Sequence, residues 1–246
     1  MISTKIKTMA STSETGNDIS VVNLKTLYEY LETLPNYKPT RAAISVANLK
    51  QLHTDLTPAV TTLRNIRKDY AAAVDEQQAL FKPFPKFITR VIKAVRTSVD
   101  DKEQADTAES IRKKIAGTRI TAKKKDPEAT EISTSQLSYD SQNKNFRELI
   151  AAINKIPGYT PNEVELTVPE LEKVVINMEE KVANVSRLEG IIVNAKNTRD
   201  KLLFSPKTGL IDLVELVKQY MGSAFGDSSP ELKYVRKLKF RRQKLK

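Results

Sequence analysis

The chain of 246 residues has no cysteine, no tryptophan and one histidine. Without cysteine there is no disulfide, no thiolate metal ligand and no cysteine nucleophile. A single histidine leaves no partner for a zinc site, so a metal would have to be held by carboxylates alone. Neither GxGxxG nor GxxxxGK occurs, which removes the glycine-rich phosphate cradles. Long apolar runs are missing as well: nothing approaches 18 consecutive apolar residues, and the first twenty residues lack the apolar core of a signal peptide. These absences predict a soluble, cytoplasmic chain that is not an enzyme, with no cofactor, no metal, no small-molecule substrate and no membrane span.

What the sequence does have is repetition. Leu34-Pro35-Asn36-Tyr37-Lys38-Pro39 returns 122 positions later as Ile156-Pro157-Gly158-Tyr159-Thr160-Pro161. The register extends to Ser11-Thr12-Ser13 against Ser133-Thr134-Ser135 and to Asp18 against Asp140. A period of 122 is far beyond the roughly 20 to 50 residues of solenoid repeats, so it marks a duplicated domain. With 39% hydrophobic residues the chain can bury two cores, and its abundance of Ala, Leu, Lys and Glu over Gly favours helices.

Each copy reads as short helix, long helix, short helix and basic tail. Leu24, Leu27, Leu31 and Leu34, and likewise Phe146, Leu149, Ile153 and Ile156, recur at spacings of three and four. The prolines after them end that helix, and Tyr37 and Tyr159 between the prolines are expected to pin the corner. Ser45 and Thr167 stand where N-caps belong, Thr167 with Glu170 as a capping box. The long helix follows, close to 36 residues and about 54 Å. Its apolar seam is Leu49, His53, Leu56, Val60, Leu63, Tyr70, Ala73 and Leu80 in the first copy, and Leu171, Val175, Met178, Val182, Val185, Ile192, Ala195 and Leu202 in the second. Pro58 is expected to kink the first seam without ending it. Arg67 and Glu189, opposite in charge at one seam position, are expected to pair or to reach solvent, with solvent favoured. A second short helix then carries Ile88, Val91, Ile92 and Val95, matched by Leu210, Leu213, Val214 and Val217.

The expected fold is all-α, a tandem duplication of a helical-bundle unit with a pseudo-two-fold. Its parts are a flexible arm over 1–20, a first repeat over 21–125, a linker over 126–145 and a second repeat over 146–246. Within each repeat, the two short helices are expected to lie along the long one. The runs SQLSYDSQNKNF, IPGYTPNEVELTV, LFSPKTGLIDLV and FGDSSPELKYVRKLKF resemble a group of uncharacterised bacterial tandem-repeat all-helical proteins that have no assigned activity. The resemblance implies a duplicated helical architecture and no functional residues.

Charge is the remaining signal. The net charge is +11, yet 111–125 holds seven basic residues and 233–246 holds eight, neither with an acid, so the rest of the chain is net −4. Basic residues alternating with apolar or aromatic ones can follow a phosphate backbone while a ring stacks on a base. The candidate nucleic-acid contacts are Arg112, Lys113, Lys114, Arg119, Lys123, Lys124 and Lys125 in the first tail. In the second they are Lys233, Tyr234, Arg236, Lys237, Lys239, Phe240, Arg241, Arg242, Lys244 and Lys246. The expected partner is DNA, RNA or another polyanion. The alternatives are a scaffold that binds other proteins through its helical faces, and tails that serve only solubility. Having few apolar residues, 233–246 is expected to be dispensable for folding. His53 sits on the apolar seam and reads as a packed or partly exposed structural histidine rather than a general base.

Overall fold

The computed structural model describes residues 12–99, 102–117 and 138–241. Every regular element among them is helical and no strand occurs. In order they are α1 (Thr12–Glu32), a 3-10 turn (Ala42–Ile44), α2 (Val46–Phe81), α3 (Phe84–Ser98) and α4 (Lys102–Ile115). There follow α5 (Tyr139–Ile153), a 3-10 turn (Val164–Leu166), α6 (Val168–Phe204), α7 (Leu210–Phe225) and α8 (Pro230–Lys237).

The long helices have 36 and 37 residues, as the seams require. Pro58 lies inside α2 without ending it; lacking an N–H, it leaves the Thr54 carbonyl without its usual donor. The α2 cap is Ser45, whose Oγ accepts from Asn48 N at 3.2 Å. The expected capping box at Thr167 is not what holds α6: Thr167 Oγ1 donates to Val164 O at 2.7 Å and so pins the 3-10 turn. Both tyrosine corners close alike. Tyr37 Oη donates to Ile44 O at 2.7 Å, and Tyr159 Oη to Leu166 O at 2.7 Å.

Burial raises the pKa of both tyrosines, that of Tyr159 to about 12. A raised tyrosine pKa stabilises the fold fully below the unfolded value of about 10, and that stabilisation is lost as pH climbs from there through the folded value. Urea melts of the intact protein should therefore weaken between about pH 10 and 12. Tyr37→Phe and Tyr159→Phe should each cost about 1 to 2 kcal/mol at neutral pH, because each leaves a buried carbonyl unpaired. Each should also flatten the alkaline decline; equal slopes in wild type and variants would refute this account.

The compact units do not follow the sequence halves. One unit comprises 1–68 and 190–246, the other 69–189. We call them unit 1 and unit 2. The core of unit 1 joins Leu24, Leu31, Leu49 and Leu56 from the first half with Leu210, Val217 and Leu232 from the second. That of unit 2 joins Phe84, Ile88 and Val95 with Phe146, Leu171 and Met178. This corrects the expectation that both short helices of a repeat cover their own long helix. The preceding helix packs only on the start of a long helix and the following one only at its end, so each stretch of seam needs a helix from the other half.

Two further differences follow from tertiary packing. Helix α1 starts at Thr12, inside the stretch read as an arm, and α5 starts at Tyr139, inside the stretch read as a linker. Asn17 and Ser20 are buried there, and Ser20 Oγ donates to Gly16 O at 2.9 Å. In the last part of the seam the buried positions are Gln77 and Phe81, and Arg199 and Leu203, whereas Leu80 and Leu202 are only partly buried. Glu189 is exposed and accepts from Tyr70 Oη at 2.8 Å, the outward arrangement expected of it.

Candidate nucleic-acid interface

The basic tails are built on helix ends. Ser229 caps α8, its Oγ accepting from Leu232 N at 3.2 Å, and Pro230 occupies the first turn. Helix α8 ends at Lys237, and the chain continues extended from Leu238. Helix α4 ends at Ile115, followed by Gly117 at φ 63, a left-handed position that glycine adopts without steric cost. Arg112, Lys113 and Lys114, and Arg236 and Lys237, therefore occupy last helical turns. There they complement the negative end of the helix dipole, worth about 0.3 to 1 kcal/mol each at an exposed site. Part of the basic pattern has a structural use.

The side chains differ in availability. Lys113, Lys233, Lys237 and Lys239 are exposed. Arg112 is engaged: its Nε and Nη2 reach Glu109 Oε1 at 2.9 and 2.6 Å, and these hydrogen bonds hold the Glu109 carboxyl below the usual range. Lys114 lies 3.7 Å from Glu148 and Arg236 3.3 Å from Asp227; both are exposed pairs, which contribute little and release easily. Arg119, Lys123, Lys124, Lys125, Arg242, Lys244 and Lys246 lie outside the described residues.

The second tail is part of a core, contrary to the expectation that folding could dispense with it. Val235 is fully buried, and Leu238 and Phe240 pack against the unit 1 core. Tyr234 lies against Tyr30 with ring centroids 4.3 Å apart. The extended stretch lies along α1: Asn23 Nδ2 donates to Lys239 O at 2.7 Å, and Arg241 N donates to Ser20 Oγ at 3.1 Å. A Cβ on Gly16 would come within 2.6 Å of Arg241 Cδ, so glycine permits this approach. Phe240 is thus committed to packing. Tyr234 is 40% exposed. The signal for this docking was in the sequence, in the spacing of Val235, Leu238 and Phe240, but the surrounding lysines obscured it.

His53 packs edge-on against Tyr28 at 5.6 Å, and burial followed by the charge of Lys25 lowers its pKa. Among the described residues no group of three or more His, Asp or Glu could hold a metal ion, and no helix is long and apolar enough to cross a membrane. No protein-family model, curated protein or solved structure matches the chain.

Proposed function

We propose that this protein is a non-enzymatic binder of nucleic acid, built as a duplicated helical frame that presents basic segments. The observation that carries the reading is the partition of charge. Unit 1 holds 22 Lys and Arg against 10 Asp and Glu, whereas unit 2 holds 19 against 20. Essentially the whole net charge thus belongs to the unit that contains the C-terminal tail. Such one-sided charge raises the local concentration of a polyanion and neutralises phosphates on contact.

Two copies related by a pseudo-two-fold are part of the same proposal. The recurring element order and the matching tyrosine corners support it, as do unit boundaries at 68/69 and 189/190, which lie within one residue of the 122-residue spacing. An experimental structure in which 21–68 with 191–238 failed to superpose on 143–190 with 69–116 would overturn it.

The functional test is a salt series of fluorescence anisotropy on labelled duplex and single-stranded oligonucleotides. If about six side chains meet phosphates, log affinity should fall against log salt with a slope near −5 on duplex. Alanine at Lys233, Lys237 and Lys239 together should make the slope shallower by about 2 to 3. Absence of binding to either nucleic acid at about 50 mM salt, where electrostatic contacts are strong, would refute the reading. The scaffold reading would then take its place. Ile19 and Val22, 47% and 62% exposed on α1, favour that second reading.

A further inference from the structure

The two stretches that follow the tyrosines carry opposite charge, and so do the helices beside them. Residues 37–44 contain Lys38 and Arg41 and no acid, and residues 159–166 contain Glu163 and Glu165 and no base. Helix α3 carries Lys86, Arg90, Lys93 and Arg96 without an acid; α7 carries Asp212 and Glu215 against Lys218 alone. Within these turns and helices three positions reverse sign at the 122-residue spacing: Arg41 corresponds to Glu163, Arg90 to Asp212, and Lys93 to Glu215.

The reversal preserves complementarity within each unit. In unit 2, Arg90 Nη2 reaches Glu165 Oε1 at 2.7 Å, and Arg90, Lys93 and Glu163 line one groove. In unit 1, Asp212 and Glu215 line a groove with Arg41 and Lys207, and Asp212 Oδ2 accepts the Lys207 amide at 2.8 Å. Lys38 N donates to Tyr220 Oη at 3.1 Å, which ties the basic stretch to α7. Basic helix thus lies on acidic turn in one unit, and acidic helix on basic turn in the other.

Both pairings join opposite halves of the chain. Were two first halves to pair, as between two molecules, Arg90 and Lys93 would face Lys38 and Arg41. Two second halves would set Asp212 and Glu215 against Glu163 and Glu165. Each is a juxtaposition of like charges, and such contacts select partners more than they set affinity.

We propose that the reversed charges are a recognition code by which each half docks on its complement and rejects a second copy of its own kind. The chain thereby closes on itself instead of exchanging halves with a neighbour. This inference rests on the duplication proposed above. The test begins with the whole chain, given a protease site between Gly117 and Ser138, folded and then cut. Native mass spectrometry should find the N- and C-terminal fragments still joined one to one; separation at this stage would overturn the assembly of each unit from both halves, not the code alone.

After unfolding in urea and refolding, the cut wild type should return to the mixed pair, with like pairs at least about tenfold rarer, a factor within the reach of repelled charges. The variant K38E/R41E/D212K/E215K keeps opposite charges within both units but makes both turns acidic and both helices basic. It should raise like pairs at least about fivefold, and a variant that still refolds only to the mixed pair would overturn the code. In the uncut chain, K38E/R41E should lower Tm by about 2 to 6 °C and D212K/E215K should restore it. An unchanged Tm in both would also overturn the proposal, even if the cut fragments failed to refold.

Discussion

Deleting Lys233–Lys246 should strongly destabilise unit 1, whereas deleting only 242–246 should leave its stability unchanged and weaken nucleic-acid binding. The longer deletion removes Val235 from the core, strips Leu238 and Phe240 from its edge, and breaks the bonds from Asn23 to Lys239 and from Arg241 to Ser20. One buried aliphatic side chain contributes about 1.5 to 3 kcal/mol, and two partly buried ones add to that. A loss of at least about 4 kcal/mol is therefore expected, a large part of the 5 to 15 kcal/mol that domains possess. The shorter deletion removes Arg242, Lys244 and Lys246 and touches none of these contacts. The measurements are urea melts followed by circular dichroism and the anisotropy salt series; equal stability of the two truncated proteins would refute the docking of the tail.

Phe146→Ala should destabilise unit 2 by about 3 to 5 kcal/mol, the cost of emptying a fully buried aromatic site. Its ring is 0% exposed and meets Phe84 edge-on at 5.1 Å and Phe87 at 6.3 Å. The pattern of the loss matters more than its size. Hydrogen exchange should rise in α3 and α4, which precede the mutation by tens of residues, and in the first part of α6. It should rise less in α7 and α8, which share its half of the sequence but belong to unit 1. Exchange confined to 146–246 would instead mean that each half is its own domain.

The seams of α2 and α6, the proline corners with Tyr37 and Tyr159, and the cap at Ser45 are local, set by periodicity and by backbone chemistry. They were legible for that reason. The partner of each seam was not, because leucines at helical spacing say that a face is buried and not by what. Gln77 and Arg199 occupy buried positions near the helix ends, where their polarity hid the face and shifted the reading to Leu80 and Leu202. Residues 12–20 look unstructured by composition, yet Gly16 and Ser20 serve the contact with Arg241. The candidate interface was legible as charge, but not the commitment of Arg112 to Glu109 or of Phe240 to packing.

The division of the chain at 68 and 190 also orders events in time. A ribosome completes 69–189 as an uninterrupted stretch, so unit 2 has all its parts while the chain is still growing. The first 68 residues must wait for the last of 190–246, up to 178 residues later. At roughly 5 to 20 residues per second that delay is about 9 to 36 s. Through it Leu24, Leu27, Leu31, Leu49 and Leu56, all buried in the finished protein, lack the helices that cover them. Of the two units, the one begun first is the last to be completed, and slowed translation of 190–246 would lengthen the period in which nascent chains can aggregate through it.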